Sequence, residues 1–164
     1  VNFAIVGAET FSELKMQKCV YITEGYATAV TLHDVTQKPV IVAGDSGNLK
    51  EVLLNIAKTL PKDTHLIIAA DNDQLVSKPI SNPGVTKALE AANAAKELNE
   101  HIRIIKPVFS QDEAKKGSTD FNDLQQLHGK TVVLRQIQQQ IQDREISKKP
   151  FKPKIKKTEI CIER

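Results

Sequence analysis

The stretch His65-Leu66-Ile67-Ile68-Ala69-Ala70, followed at once by Asp71-Asn72-Asp73, decides the fold of this 164-residue chain. The apolar run from Leu66 to Ala70 has no polar face, which is typical of a strand in a parallel sheet that helices cover on both sides. Acidic residues directly after such a strand lie at its carboxyl end, where open α/β sheets bind their ligands. The stretch therefore predicts both a fold class and the place of its chemistry.

Apolar runs and helical patterns alternate on either side of this stretch. Further strands are predicted at residues 3–6, 19–23, 40–43 and 102–105. Helices are predicted at residues 25–34, 49–60, 84–99, 120–128 and 131–146. The alternation indicates an α/β fold with a doubly wound sheet of about four mostly parallel strands, flanked by helices.

Charge divides the chain into a body and a tail. Residues 1–147 contain 16 Lys or Arg and 18 Asp or Glu, whereas residues 148–164 contain seven Lys or Arg and two Asp or Glu. We predict one domain at residues 1–130, an amphipathic helix packed on it at residues 131–147, and a basic tail or linker at residues 148–164. The tail is either a solvated linker broken by prolines or a DNA-binding stretch. Its candidate DNA-binding residues are Lys148, Lys149, Lys152, Lys154, Lys156 and Lys157.

Composition excludes several classes of protein. No apolar run is long enough to span a bilayer, and no signal-peptide pattern opens the chain. Cys19 and Cys161 have no CxxC partner, so neither a zinc ribbon nor a disulfide framework is expected, and a reducing, cytoplasmic setting fits best. The chain begins at Val1 rather than at Met, which we interpret as a piece of a longer protein. The motifs of P-loop, dinucleotide-binding, serine-hydrolase and zinc-protease sites are missing from the sequence.

Carboxylates follow two of the predicted strands. Glu24 comes directly after residues 19–23, and Asp71 and Asp73 come directly after residues 65–70. If these strands are parallel, the three side chains meet at one edge of the sheet, where they repel one another unless a cation lies between them. Mg²⁺ takes one or two carboxylates together with water and substrate phosphates. The pattern predicts a metal site, although a single Asp after a strand is more often a turn or cap residue.

A second acidic pair, Asp120 and Asp123, has the spacing of one helix face. Two interpretations stay open for it, a direct metal role or a helix cap at Asp120 with Asp123 in the first turn. Gly25 and Gly84 each open a predicted helix beside the acidic residues, and exposed N–H groups there suit a phosphate. Lys87 is a further candidate phosphate contact, with a plain surface lysine as the alternative.

Several stretches, in this order, resemble the Toprim domain, and most closely that of primases from conjugative plasmids, phages and related mobile elements. They are Ile22-Thr23-Glu24-Gly25-Tyr26-Ala27-Thr28-Ala29, Val42-Ala43-Gly44-Asp45-Ser46-Gly47-Asn48-Leu49, Ala69-Ala70-Asp71-Asn72-Asp73, Asn82-Pro83-Gly84 and Thr119-Asp120-Phe121-Asn122-Asp123-Leu124. The resemblance runs from about Phe3 to Gly129. It departs from cellular replicative primases in the ten residues, Gln74 to Pro83, that separate the acidic pair from Gly84.

The resemblance implies roles for the acidic residues. Glu24, Asp71 and Asp73 would be catalytic and bind Mg²⁺ or Mn²⁺, and Asp120 and Asp123 would complete a second metal site. The expected activity is primase-type nucleotidyl transfer, with single-stranded DNA and ribonucleoside triphosphates as partners and a helicase or relaxase in the same polypeptide as a further candidate. Two alternatives are a metal-dependent Toprim nuclease and a non-catalytic DNA-binding module of a relaxase or helicase.

Overall fold

The computed structural model describes residues 2–148, in which strands and helices alternate along the chain. The strands are β1 (Ala4–Val6), β2 (Cys19–Thr23), β3 (Val40–Val42), β4 (His65–Ala69) and β5 (Ile102–Ile105). The helices are α1 (Phe11–Lys15), α2 (Tyr26–Thr36), α3 (Ser46–Thr59), α4 (Pro83–Ala95), α5 (Gln111–Lys115), α6 (Phe121–His128) and α7 (Lys130–Lys148).

The strands form one sheet in the order β1-β3-β2-β4-β5. Strands β2 to β5 are parallel to one another, and β1 pairs antiparallel with β3 at the edge. Thr23 is in register with Val42 on one side and with Ala69 on the other, so three strands end at the same level. The predicted α/β, doubly wound and mostly parallel sheet is confirmed. It has five strands rather than about four, and the strand predicted at residues 3–6 is the antiparallel one at its edge.

Two apolar cores cover the two faces of the sheet. Side chains alternate between faces along a strand, so Ile22 and Ile68 enter the core beneath α3 and α4, whereas Tyr21 and Ile67 enter the other. The second core also contains residues of α2, α6 and α7, among them Phe121, which is fully buried. Burial on both faces is the reason that the central strands contain apolar residues at consecutive positions.

Two helices, α1 and α5, were not predicted from the sequence. Each has only five residues, too few for an apolar stripe to repeat. Their signals are local caps: the Thr10 side chain accepts from the Glu13 amide, and Ser110 forms a capping box with Glu113. Short helices of this kind are visible in a sequence only through their cap residues.

Helix α7 packs against α2, α6 and β5, with Val133 and Ile137 buried. Lys148 is its last residue. The predicted DNA-binding residues Lys149, Lys152, Lys154, Lys156 and Lys157 lie outside the described residues. Among residues 2–148, no helix combines the length and the apolarity that crossing a bilayer requires.

Candidate functional site

Two loops at the carboxyl ends of neighbouring parallel strands bring Glu24 and the Asp71 loop together. Glu24 follows β2 directly, and its carbonyl oxygen accepts a hydrogen bond from the Gly44 amide at 2.9 Å, which extends the pairing of β2 and β3. The Ala70 amide donates to the Ile105 carbonyl at 2.9 Å, so β4 also continues to the start of the Asp71 loop. Because the strands end in register, Glu24 and Asp71 emerge at neighbouring positions of one edge.

The proximity of these carboxylates is visible in their electrostatics. Burial raises the pKa of Asp71 to about 7, with added repulsion first from Glu24 and Asp120 and then from Asp73 and Asp123. Burial also raises the pKa of Glu24, and repulsion from Asp73 and Asp45 raises it further. The acidic residues that were predicted to converge therefore lie close enough for their charges to raise the pKa values of Asp71 and Glu24.

The donor set fits a hard divalent cation in its chemistry. One carboxylate oxygen of Glu24, Oε1, is buried and has no hydrogen-bond partner in the described part of the protein. A buried carboxylate oxygen of this kind is costly unless it meets a cation or a donor. Within residues 2–148, however, no group of three or more acidic, His or Cys side chains already has the arrangement of a metal site. The residues thus suit Mg²⁺ or Mn²⁺ by type and charge, without a preformed cage.

Asp120 and Asp123 form a helix cap. Asp120 Oδ1 accepts from the Asp123 amide at 2.8 Å, and Asp123 Oδ2 accepts from the amides of Asp120 at 3.3 Å and Thr119 at 2.8 Å. The other oxygen of Asp120 accepts from the Thr28 hydroxyl at 2.9 Å. The capping interpretation therefore describes this pair in the structure, while its negative charge still acts on Asp71. A metal role for the pair stays a prediction.

Gly84 lies against the acidic loop at the start of α4. Its amide donates to Asp73 Oδ2 at 3.1 Å, and a Cβ atom added to it would lie 2.5 Å from the Asp71 carbonyl oxygen. Glycine is needed here for close approach of two backbones rather than for an unusual dihedral angle. The amide that was predicted to meet a phosphate thus holds Asp73, and the phosphate role of Gly84 stays a prediction.

The other two predicted phosphate contacts lie in different settings. Gly25 is the N-cap of α2, where no side chain caps the exposed N–H groups, so this helix start is available to an anion. Lys87 is part of α4 and forms a 3.7 Å ion pair with Glu90 on the same helix. The geometry thus favours Gly25 over Lys87 as a phosphate contact.

Asn72 is a central residue of the loop that the sequence did not single out. Its exposed fraction is only 3%. Its side-chain Nδ2 donates to the Pro107 carbonyl at 2.8 Å, its Oδ1 accepts from Asn82 Nδ2 at 2.8 Å, and its amide donates to the Thr119 carbonyl at 2.7 Å. Asn72 therefore joins three separate loops while its two acidic neighbours remain partly exposed. Its only sequence signal was a neutral polar residue between two acids.

We expect Asp71→Asn to stabilise the chain at neutral pH. The pKa of Asp71 is about 7 in the folded state and 3.8 in the unfolded state. The protonated side chain therefore favours the folded state, and this contribution to stability is complete below pH 4 and is lost as pH rises through 7. Asparagine does not ionise, so Asp71→Asn should raise the free energy of unfolding at pH 8 by about 1–2 kcal/mol, after allowance for solvent screening of a half-buried group. Urea unfolding at pH 4 and pH 8 measures the difference. The control is Glu97→Gln at an exposed position, and an equal gain in both variants would contradict the expectation.

A separate cavity of about 460 Å³ lies at the opposite edge of the sheet, against the first residues of β2 and β4, Cys19 and His65. Its other side is formed by α7, including Ile137 and Ile141. None of the described residues that line it is acidic, and burial raises the pKa of the Cys19 thiol, which disfavours a reactive thiolate. The candidate site therefore lies at the carboxylates and not at this cavity.

Comparisons with known proteins identify the family of this chain. The family model described as the Toprim domain matches residues 19–131, more than half of the chain. Two proteins from Escherichia coli, each named DNA primase TraC, are similar to it. One is 39% identical over 93 residues, which is 56% of this chain and 8% of the relative. The other is 42% identical over 74 residues, which is 44% of this chain and 5% of the relative. The chain thus matches less than a tenth of either relative. No solved structure matches it significantly.

Proposed function

Because this chain belongs to the Toprim family, we propose that it is the catalytic domain of a DNA primase from a mobile genetic element. The reaction would be nucleotidyl transfer that joins ribonucleotides into short primers on a single-stranded DNA template. The single observation that carries the proposal is the meeting of Glu24, Asp71 and Asp73 at one sheet edge, where burial and the charge of Glu24 raise the pKa of Asp71, and burial and the charge of Asp73 raise the pKa of Glu24. The similarity to two proteins named DNA primase TraC favours priming over other Toprim reactions.

Glu24, Asp71 and Asp73 would hold Mg²⁺ or Mn²⁺. The cation would neutralise charge on the primer hydroxyl oxygen that attacks the α-phosphorus and on the pyrophosphate oxygen that leaves it. Glu24 contributes a buried oxygen without another partner. Asp73 is oriented by the Gly84 amide, which leaves its second oxygen for a ligand. Asp120 and Asp123, held by their cap, would add negative charge for a second cation.

The nucleotide phosphates would lie at the start of α2. The N–H groups of that helix start are exposed beside Glu24 and have no side-chain cap, and a helix start carries partial positive charge. A phosphate bound there would lie next to the carboxylates that hold the cation. Gly84 and Lys87 on α4 would be secondary phosphate contacts, because the Gly84 amide binds Asp73 and Lys87 pairs with Glu90. The basic residues beyond α7 would attract the template.

A direct assay compares the reactions open to this fold. The chain is incubated with single-stranded DNA, ribonucleoside triphosphates and Mn²⁺, and in parallel with supercoiled plasmid DNA. We expect short labelled RNAs that depend on the template and disappear when EDTA removes the metal. Nicked plasmid without RNA would instead identify a nuclease. DNA binding without either product, lost on removal of residues 148–164, would identify an accessory module and contradict the proposal.

A further inference from the structure

Two glutamines of α7, Gln136 and Gln140, bind the backbone that follows β5. Gln140 Oε1 accepts from the Lys106 amide at 3.0 Å, and its Nε2 donates to the Lys106 carbonyl at 2.8 Å. Gln136 repeats the pattern with Val108, accepting from its amide at 2.9 Å and donating to its carbonyl at 3.1 Å. Side chains four apart lie one above the other on a helix, so together they pair with alternate residues as a neighbouring strand would.

The residue between these two pairs connects to the acidic loop. Lys106 and Val108 turn their peptide groups toward α7, whereas the carbonyl of buried Pro107 accepts the side-chain amide of Asn72 at 2.8 Å. Asn72 lies between Asp71 and Asp73, so a displacement of the Pro107 carbonyl would shift the backbone of both acids. The contacts form one continuous path from α7 to the candidate metal ligands.

We propose that Gln136 and Gln140 are positioning residues for the Asp71–Asp73 loop. Helix α7 then contributes to the geometry of the site as well as to the fold. This inference rests on the proposed function, since it treats the two acids as metal ligands. The family match ends at residue 131, so nearly all of α7 lies beyond it. Val133 and Ile137 hold the helix by apolar packing, which is not directional, whereas four hydrogen bonds fix the position of residues 106–108 along it.

Removal of these two glutamine side chains should change the position of the Asp71–Asp73 loop more than it changes the stability of the fold. Both side chains are partly exposed, so water can replace their hydrogen bonds when they are removed. Alanine is also the best helix former, so α7 should persist in a Gln→Ala variant. The Pro107 carbonyl, by contrast, lies between the two residues that these glutamines hold, so its position should change when their side chains are removed. Changes to groups that orient metal ligands typically weaken metal affinity ten- to a hundredfold.

The test compares the double variant Gln136→Ala/Gln140→Ala with Gln139→Ala, an exposed glutamine of the same helix. Mn²⁺ affinity is measured by electron paramagnetic resonance titration of the whole chain, and we expect it to fall about tenfold or more in the double variant only. Gln140→Glu, which keeps the side-chain length but turns a carboxylate oxygen toward the Lys106 carbonyl, should weaken Mn²⁺ binding as well. Far-ultraviolet circular dichroism confirms that each variant is folded.

A metal-free measurement separates this inference from the proposed function. In NMR hydrogen exchange, the side-chain amide of Asn72 should lose protection in the double variant, while the Ile22 amide of β2 keeps it. If the unaltered chain binds no Mn²⁺ but Asn72 loses protection, the coupling stands and the proposed function fails. If Asn72 stays protected, or if it loses protection while Mn²⁺ affinity stays unchanged, the positioning role of α7 is overturned.

Discussion

Replacing Glu24 by glutamine should reduce metal-dependent RNA synthesis by a hundredfold or more while leaving the fold intact. Residues that only orient metal ligands contribute roughly ten- to a hundredfold to metal affinity or activity, so loss of a ligand itself should exceed that range. Glu24 follows β2 directly and has a buried oxygen without a partner. Glutamine keeps the shape of the side chain and removes the charge that a cation requires.

The same substitution should not destabilise the chain. Burial and the charges of Asp73 and Asp45 raise the pKa of Glu24, which means that the folded protein disfavours its ionised form. A neutral side chain removes that repulsion, so the free energy of unfolding at neutral pH should stay equal or rise. Activity and stability would then move in opposite directions, which is typical of a residue that serves a ligand rather than the fold.

Two measurements check this expectation. The first is the rate of ribonucleotide incorporation at saturating Mn²⁺, and the second is the urea midpoint of unfolding. Glu51→Gln is the matched control, because it removes the same charge from an exposed position on α3. Synthesis that continues at the normal rate in Glu24→Gln would exclude Glu24 from the metal site and remove the main support for a primase.

The sheet and its acidic edge follow from local patterns. A strand buried on both faces needs consecutive apolar residues, as in Leu66 to Ala70, and parallel strands all end at one edge. Those two rules suffice to predict that Glu24 and Asp71 approach each other, although 47 positions in the sequence separate them. The ordered motifs add a resemblance to the Toprim family, and the family match over residues 19–131 confirms that resemblance.

The supports of the acidic loop could not be predicted in the same way. One hydrogen bond joins Asn72 to Pro107 and two join Gln140 to Lys106, in each case between residues far apart in the chain. Periodicity does not identify such partners, because a glutamine on a helix has the same pattern whether it faces a backbone or solvent. The cap of Asp120 is a related case, since an Asp before a helix is compatible with a metal ligand and with a cap.

We expect Gly84→Ala to cost about 3 kcal/mol of unfolding free energy, the largest loss of stability among the substitutions considered. The added Cβ would lie 2.5 Å from the Asp71 carbonyl oxygen and 2.9 Å from its Cβ, well inside contact distance, so α4 or the loop must move. Neither moves freely, because the Gly84 amide is bonded to Asp73 and Asn72 is tied to three loops. Overpacking of this kind costs 1–3 kcal/mol and more when backbone is displaced.

Gly25→Ala provides the contrast for this substitution. A Cβ at Gly25 would lie 4.0 Å from the Thr28 hydroxyl oxygen, which is ordinary van der Waals contact. Both glycines lie at the start of a helix, so the comparison isolates the close approach of α4 to the Asp71 loop. Urea unfolding followed by circular dichroism should give a loss below about 1 kcal/mol for Gly25→Ala. Equal losses of unfolding free energy in the two variants would contradict this expectation. They would show that any glycine at a helix start is sensitive to alanine, whether or not it contacts the acidic loop.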